Sequence, residues 1–447
     1  GYNLPCLDRY SMSYKPEASD IRYTGMLNQL QNDWKEYFTA EELQEIKQLY
    51  AESREKSIRM KKYESSYNGT RWFFNNDDLI KKNDRYHIMV NMASVRCDGL
   101  ESATGFADNY NFYTADGATF FQKSGNEYRK AFGAYDVTAF PGVTAREGMD
   151  KLTPVTNWRG YCSKHNFAAA ATLGDENAVA GFIFEKMNGS DKDGVNDRGD
   201  NAMKNPILYG VKAYKSYFML GDYMVALGAG ITNKQPNQEG NIRTTIDQTE
   251  RFGKVYIYEG DGIEWTVQQG KFAYSAFPEY RERVHSVCEK KKTDWLKMNL
   301  DNKNKRNLPV EVDIFCMWID HGKAPVNDTY GYVVYAGEGL PARKYPFEVL
   351  RNDTLVQAVR SSDKKVLEAV FYTEGEELKA NGLSLSVSSP CTVLVKEETN
   401  SYVFSVTDAC MNSSLKEIEL VFNGKTIQVP MSQDMFCGKP TIKHINK

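Results

Sequence analysis

The sequence predicts a mostly β protein that begins with a short pair of helices. Helical spacing of apolar residues is confined to residues 20–62, and from Trp72 onward short apolar runs alternate with Gly, Asn, Asp and Pro. Short runs between turn signals are typical of antiparallel β-sandwiches. The chain has 447 residues, a length that fits about three domains. We place their bounds at residues 1–66, 67–335 and 336–447.

Composition and charge exclude several classes of protein. Hydrophobic residues make up 41% and charged residues 26% of the chain, as in folded globular proteins and unlike disordered tails or fibres. The formal net charge is -3, so we expect no nucleic-acid partner. No window reaches about 18 consecutive apolar residues, and we therefore expect no membrane span.

The helical part reads as two helices. Leu27, Leu30 and Trp34 recur at helical spacing, and Thr39 followed three residues later by Glu42 is a capping box that predicts the start of a second helix. A hairpin of this size does not bury its own apolar face. Because the chain also starts at Gly1 without an initiator Met, we expect an N-terminal portion with more helices to precede it.

Two β regions follow. The first contains apolar runs at 87–95, 112–121, 178–185, 217–231 and 243–252, and predicts a large antiparallel sandwich. The second begins after the turn at 337–341. It alternates with period two at 384–387, 392–395 and 402–406, which predicts a smaller second sandwich.

Motifs for metal or phosphate chemistry are weak. Eight Cys include no CxxC pair, and five His show no HExxH spacing. Cys391 and Cys410 flank one predicted hairpin. They either form a disulfide or are two separate thiols. Residues 191–197 resemble a calcium loop but lack the glycine and glutamate of an EF-hand, so calcium binding and a solvated polar loop both stay open. Residues 289–306 are Lys-rich, and they either face an anionic polymer or form an exposed loop.

Two segments stand out as candidate sites. The first, LDRYSMSY at residues 7–14, precedes the helices. The second, MASVRCDGLES at residues 92–102, is followed by NYNFYTADGAT at residues 109–119. A Glu after a strand, a polar loop and an aromatic run into an Asp-Gly turn are also compatible with ordinary β-architecture.

The second segment resembles the central β-domain of polysaccharide lyase family 8, which includes chondroitin, hyaluronan and xanthan lyases. Three more motifs follow in the family's order: AYDVTAFPGVTA at 134–145, GVKAYKSYFMLGDYMVALGAGITN at 210–233 and RTTIDQT at 243–249. The resemblance covers essentially the whole chain. It implies the remnant helical hairpin of an (α/α) toroid, a large antiparallel β super-sandwich and a small C-terminal β-sandwich. The spacing of Arg9 and Glu101 is most similar to the broad-specificity chondroitin sulfate ABC lyases.

The resemblance also implies site residues. In the family a Tyr, helped by a His and an Asn, does most of the acid–base work, an Arg makes the ionised Tyr accessible, and a Glu orients the Arg. By position Arg9 matches that Arg and Glu101 that Glu, so both are predicted to be catalytic. The Tyr, His and Asn lie upstream of the position of Arg9 in the family, so we expect the remainder of the helical catalytic domain as a partner.

Substrate contacts are predicted around these two residues. The family's Glu-Ser-x-Asn reads Glu-Ser-Ala-Thr here, so Asn109 or Asn111 takes the place of the missing Asn. Tyr14 and Arg96 complete the predicted substrate-binding set.

The predicted function is the C-terminal portion of a secreted or periplasmic lyase. The lyase would cleave chondroitin or dermatan sulfate, an acidic polysaccharide, by β-elimination to 4,5-unsaturated uronates. No cofactor is required, with Ca as the one metal suggested, and the chain alone is expected to be inactive. The alternatives are a non-catalytic β-protein that binds sulfated glycans, and a lyase for hyaluronan or xanthan.

Overall fold

The computed structural model describes residues 24–54, 68–99, 110–153, 160–189, 205–298 and 308–447. Its first elements are two packed helices, α1 (Thr24–Asn32) and α2 (Ala40–Arg54). The capping box forms as predicted. The backbone N–H of Thr39 donates to the Glu42 carboxylate at 2.9 Å, and the backbone N–H of Glu42 donates to Thr39 Oγ1 at 3.2 Å. The Glu45 carboxylate pairs with Arg71 at 2.6 Å and ties α2 to the first strand region.

The central region is built from antiparallel strands. In chain order they are β1 (Gly69–Phe73), β2 (Asp78–Lys82), β3 (His87–Asn91), β4 (Ala118–Gln122), β5 (Thr144–Arg146), β6 (Tyr161–Ser163), β7 (Ala168–Leu173), β8 (Asn177–Asn188), β9 (Val211–Leu220), β10 (Tyr223–Asn233), β11 (Ile242–Glu250), β12 (Val255–Glu259), β13 (Glu264–Gln268), β14 (Ala273–Ala276), β15 (Val284–Asp294), β16 (Pro309–Asp320) and β17 (Asp328–Tyr335).

These strands form three sheets. One has the order β1-β2-β3-β4, and a second the order β15-β16-β11-β5. The third has nine strands in the order β12-β13-β14-β17-β10-β9-β8-β6, with β7 also paired to β8. A continuous apolar core that includes Trp265, Tyr217 and Phe218 packs on both faces of the nine-stranded sheet. A second cluster, with Phe120, Phe132 and Trp295, lies against the sheet of β15, β16, β11 and β5.

The C-terminal region is a second sandwich. Its strands are β18 (Phe347–Asn352), β19 (Val356–Ser361), β20 (Val366–Phe371), β21 (Glu377–Ala380), β22 (Leu383–Val387), β23 (Cys391–Glu397), β24 (Ser401–Asp408), β25 (Glu417–Phe422), β26 (Lys425–Pro430) and β27 (Thr441–Asn446). They form a six-stranded sheet, β18-β19-β20-β23-β24-β27, and a four-stranded sheet, β21-β22-β25-β26. The six-stranded sheet also packs on the nine-stranded one, where Thr407 Oγ1 donates to the Ala170 carbonyl at 2.8 Å.

The predicted mostly β class with two sandwiches is confirmed. Two predicted runs differ in detail. The run 217–231 is split by a hairpin turn at Gly221 and Asp222, because Gly221 adopts a positive φ of 54° that ends β9. The run 112–121 becomes a strand only at Ala118, since the residues before it are held by side chains from another sheet, as described below. Cys391 and Cys410 are free thiols.

Within the described residues, no helix is long and apolar enough to cross a membrane. No group of three or more His, Cys, Asp or Glu side chains in these same ranges is arranged to hold a metal ion. The predicted calcium loop at 191–197 lies outside the described residues.

Candidate active site

Two of the predicted site residues, Glu101 and Asn109, belong to the sequence segment 100–109, and two more, Arg96 and Asn111, lie on either side of it in the chain. Arg9, Tyr14, Glu101 and Asn109 lie outside the described residues, whereas Arg96 and Asn111 lie inside them. The candidate site is therefore built from the two stretches that flank 100–109. We refer to residues 92–99 as the entry segment and to residues 110–117 as the exit segment.

The entry segment extends the edge of the nine-stranded sheet. The Val95 N–H donates to the His165 carbonyl at 3.0 Å, and the Gly99 N–H donates to the Tyr161 carbonyl at 2.6 Å. Strand β6 is the last strand of that sheet, so the segment pairs where the sheet would otherwise end. The backbone at Gly99, two residues before Glu101 in the sequence, is thereby fixed to the sheet.

Buried carboxyl groups support the start of the entry segment. Ser94 Oγ donates to Asp77 Oδ2 at 2.7 Å. Burial raises the pKa of Asp77 to about 6, although Arg96 and Ser94 oppose the rise. The pKa of the adjacent Asp78 is raised to about 8 by burial and by the charge of Asp77. Burial and the charge of Asp77 therefore disfavour the ionisation of both neighbouring carboxyls at once.

Arg96 connects the entry segment to the C-terminal sandwich. Its Nη1 donates to Asn166 Oδ1 at 2.6 Å and to the Ala409 carbonyl at 3.3 Å, and its Nη2 donates to the Ala168 carbonyl at 3.0 Å. Its side chain is 20% exposed. The guanidinium thus joins three elements of the protein, and its predicted contact with a sugar stays a prediction.

The exit segment is held by a buried ion cluster. Lys186 Nζ, on β8, donates to the Phe112 carbonyl at 2.6 Å and pairs with the Asp116 carboxylate. The side chains of Lys186 and Asp116 are 1% and 3% exposed. Lys215 Nζ, on β9, donates to the Gly142 carbonyl at 2.6 Å and to the Asp116 carbonyl at 3.4 Å.

Burial sets the protonation of this cluster. It lowers the pKa of Lys215 to about 7, against the opposing pull of Asp116. It also lowers the pKa of Lys186 and raises that of Asp116, and in both cases the partner's charge works the other way. Since an isolated charge is costly in such a place, the ion pair depends on both partners being present.

Lys186 also reaches towards the entry segment. Its Nζ lies 4.9 Å from the ring centre of Tyr113 and 4.7 Å from that of Tyr161. The carbonyl of Tyr161 is the acceptor for the Gly99 N–H. One buried ammonium therefore connects both stretches that flank 100–109.

Packing closes the exit segment further. Asn111, Phe112 and Tyr113 are all buried, at 2%, 1% and 1% exposure. Gly117 has a φ of 81°, and a Cβ there would lie 2.2 Å from Tyr217 Oη. Only glycine fits this turn, and Tyr217 Oη donates to the Gly117 carbonyl at 3.0 Å. Asn111 is thus placed in the protein interior, and its predicted sugar contact is not tested by this position.

Lys186 and Lys215 were missed by the sequence reasoning. Lys186 lies in none of the quoted motifs, and Lys215 lies in the motif at 210–233 without having been given a role. The available signal was a lone lysine within a long apolar run, since β8 is buried at nearly every position. A cation in such a strand implies a buried partner.

The arrangement fixes the two segments that flank 100–109 to the nine-stranded sheet. The described part provides anchors, and the acid–base groups predicted from the sequence are not among its residues. Rigid support of this kind is what a site needs if its reacting groups are to be pre-positioned.

Sequence models of two domains match the chain. "Polysaccharide lyase family 8, super-sandwich domain" matches residues 68–342, which is more than half of the 447 residues. The chain belongs to polysaccharide lyase family 8. A second model, "Polysaccharide lyase family 8, C-terminal beta-sandwich domain", matches residues 348–416. The family predicted from the sequence motifs is confirmed, and both flanking segments lie inside the family 8 super-sandwich.

Relatives within family 8 include chondroitin lyases of two kinds. The chain is 29% identical over 389 residues to chondroitinase-AC of Pedobacter heparinus, covering 82% of this chain and 50% of that protein. It is 25% identical over 206 residues to the chondroitin sulfate ABC exolyase of Bacteroides thetaiotaomicron, covering 42% and 18%.

A solved structure has the same fold. The chondroitinase AC lyase studied in enzyme–oligosaccharide complexes superposes with a TM-score of 0.73 at 22% identity, covering 98% of this chain and 62% of that one. The chain spans half the length, or less, of these two curated relatives.

Proposed function

We propose that this chain is part of a lyase that cleaves chondroitin or dermatan sulfate by β-elimination and leaves a 4,5-unsaturated uronate. The observation that carries the proposal is the family 8 super-sandwich match over residues 68–342, which encloses the anchored entry and exit segments. The names of the relatives support the substrate class, because chondroitin lyases of both the AC and the ABC kind align with this chain.

The chemistry assigns roles to the predicted residues. The C5 proton of a uronate is weakly acidic, so its removal requires that the adjacent carboxylate be neutralised and that the developing charge meet pre-placed donors. Arg9 supplies a fixed positive charge that favours the ionised form of a tyrosine base, whose ordinary pKa is about 10. Glu101 holds Arg9 in position. The entry and exit segments, on either side of Glu101 in the sequence, are themselves held to the nine-stranded sheet.

We infer that the base itself and its partners come from outside this chain. The Tyr, His and Asn are proposed to belong to the remainder of the helical catalytic domain, so the isolated chain should form no product. The elimination needs only protein side chains, without a cofactor, and calcium at 191–197 would stabilise a loop. Action outside the cytoplasm, in the periplasm or after secretion, follows from the size of a polymeric substrate.

The test is the ultraviolet absorbance of unsaturated uronates, measured with chondroitin sulfate, dermatan sulfate, hyaluronan and xanthan. A protein that joins this chain to a family 8 helical domain should form product from the first two. Arg9→Ala should lower kcat by about 10²–10³, the effect of losing one pre-placed electrostatic group. Arg343→Ala is the matched control, because its side chain is 63% exposed and pairs only with Asp261 at 3.1 Å among the described residues.

The outcomes separate the alternatives. Absence of product from the joined protein, with binding retained, would point to a non-catalytic glycan-binding protein. Product from hyaluronan or xanthan alone would reassign the substrate. Product from the isolated chain would show that it contains its own base.

A further inference from the structure

A second charged group lies on the opposite face of the nine-stranded sheet from Lys186. Its members are three lysines with a histidine and a glutamate between them, and we refer to them together as the basic row. The basic row consists of Lys164, His165, Glu185, Lys212 and Lys234.

Strand pairing puts these residues side by side. Glu185 on β8 is the direct partner of Lys212 on β9, and Lys212 is in turn the partner of Thr232 on β10. Lys164 follows β6 and Lys234 follows β10. Because neighbouring strands are about 4.8 Å apart, a row across four strands extends about 15 Å. The row therefore runs across the strands, perpendicular to their direction.

Contacts within the row centre on Glu185. Its carboxylate accepts from Lys234 Nζ at 2.7 Å and from His165 Nε2 at 2.9 Å, and lies 3.3 Å from Lys164 Nζ. Burial would raise the pKa of Glu185, but these hydrogen bonds outweigh it and hold the pKa at about 2. Burial lowers the pKa of His165, with Lys212 and Lys234 acting in the same direction. At neutral pH the row thus carries three positive charges against one negative charge.

The positive groups reach solvent. The side chains of Lys164 and Lys234 are 54% and 51% exposed, whereas Glu185 is 8% exposed. Lys212 Nζ lies 5.1 Å from the ring centre of Tyr214, which fixes its stem. An approaching ligand would meet ammonium groups rather than the carboxylate that orients them.

The position of the row connects it to the candidate active site. The His165 carbonyl accepts from the Val95 N–H, so one end of the row touches the entry segment. At the inner side, Tyr214 packs on Tyr372 of the C-terminal sandwich with ring centres 5.1 Å apart. The row therefore lies just beyond the area that this sandwich covers and reaches the entry segment at Val95.

The Lys-rich segment at 289–306 is a weaker candidate for the same role. In its described part, Lys290 and Lys292 both pair with Glu311, and Lys291 lies 3.1 Å from Glu289. Three lysines there face two carboxylates, and they lie on β15 at the far edge of another sheet.

We propose that the basic row binds sulfate or carboxylate groups of an acidic polysaccharide, as a subsite next to the entry segment. This inference rests on the proposed function for its substrate class. Exposed ammonium groups held at fixed spacing attract a polyanion, and such attraction weakens as salt is added.

The test compares binding of size-defined chondroitin sulfate oligosaccharides by calorimetry to the full chain and its variants. Lys164→Gln with Lys212→Gln removes two positive charges while Glu185 keeps its bonds from Lys234 and His165, so the fold should be preserved. Affinity should fall about fivefold at low salt, with the difference shrinking as salt is raised. Non-sulfated chondroitin in a parallel series separates carboxylate from sulfate as the bound group.

The matched control is Lys344→Gln with Lys379→Gln. These lysines are 79% and 72% exposed, and each pairs with a carboxylate, as Lys164 does. The control has the same net charge as the double variant and should bind like wild type. Equal losses in both would show a general charge effect and overturn the subsite.

A variant that should tighten binding tests the proposal separately, because misfolding would only weaken binding. Glu185→Gln removes the only negative charge of the row and should tighten binding about threefold, whereas a purely structural role predicts no gain. If the Lys164 and Lys212 double variant binds as well as wild type, the basic row is not a subsite, and the proposed function stands. If wild type binds no acidic oligosaccharide, the row and the proposed substrate class both fail.

Discussion

Lys186 Nζ donates to the carbonyl of Phe112 at 2.6 Å across 74 residues of sequence. The donor lies on β8, a 12-residue strand whose first ten residues are all buried, and the acceptor lies three residues after the segment 100–109. The same ammonium lies over the ring of Tyr161, whose carbonyl holds Gly99 on the other side of that segment. The entry and exit segments on either side of 100–109 are thus held from the sheet interior rather than from the surface.

Replacement of Lys186 should show how much this support contributes. Lys186→Met leaves the buried Asp116 carboxylate without its ion-pair partner, and we expect the free energy of unfolding to fall by about 3–5 kcal/mol. Adding Asp116→Asn should recover part of that loss, because no uncompensated charge remains. Chemical denaturation measures both, and amide exchange at Gly99 should accelerate in the single variant.

Lys344→Met is the control for this series, since its side chain is 79% exposed. It should change stability by no more than about 0.5 kcal/mol. A Lys186→Met protein as stable as the control would show that the buried ion pair does not hold the exit segment.

The sequence and the geometry suggest different roles for Arg96, a sugar contact and a structural link. Its three acceptors, on Asn166, Ala168 and Ala409, lie within 3.3 Å. We expect Arg96→Ala to lower the free energy of unfolding by about 2–4 kcal/mol, because several charge-assisted hydrogen bonds are lost near the buried Asp77. Thermal unfolding and oligosaccharide affinity should be measured on the same samples.

The conservative Arg96→Lys variant decides between the two roles. A lysine keeps the charge but does not reach three acceptors in a fork, so a structural role predicts a loss of stability. If instead affinity falls while the melting temperature stays at the wild-type value, Arg96 is a sugar contact as the sequence predicted.

Local patterns in the sequence were sufficient for the elements they define. The capping box at Thr39 and Glu42 needs only residues three apart, and it forms as predicted. The alternating strands of the C-terminal sandwich were found for the same reason. The run from Phe112 was assigned as strand because its aromatics suit β-structure, but Lys186, Asp116 and Gly117 hold it in turns. Contacts between residues 70 or more positions apart leave no local pattern in the sequence. The contacts that anchor the entry and exit segments could therefore not be predicted from it.

The capping box gives a prediction confined to one helix. Thr39→Ala removes the Oγ1 acceptor of the Glu42 N–H, and should destabilise the start of α2 by about 1 kcal/mol. Hydrogen exchange of the first amides of α2 should become roughly fivefold faster. Thr39→Ser keeps the hydroxyl and should exchange like wild type. Unchanged exchange in the alanine variant would mean that the Glu45–Arg71 pair with β1, without the Thr39 cap, is sufficient to hold the start of α2.

Asp247 should make stability depend on pH. Burial raises its pKa to about 7, although hydrogen bonds from Tyr274 and Tyr128 oppose the rise. The two phenol oxygens lie 2.6 and 3.0 Å from its carboxyl oxygens. The unfolded chain has an ordinary Asp pKa of about 3.9. Between these values the folded protein holds a proton that the unfolded chain has released. The stability that this proton on Asp247 contributes is therefore complete below pH about 4 and is lost as the pH rises through about 7.

Asp247→Asn removes this titration while keeping the shape of the side chain. From pH 4 to pH 8 the wild-type free energy of unfolding should decline relative to that of the variant, by up to about 4 kcal/mol. Urea denaturation at each pH measures the difference, with the exposed Asp175→Asn as the control that should follow wild type. Parallel curves for wild type and Asp247→Asn would mean that the two tyrosines stabilise an ionised carboxylate in the folded protein, since hydrogen bonds to the charged form would then outweigh burial.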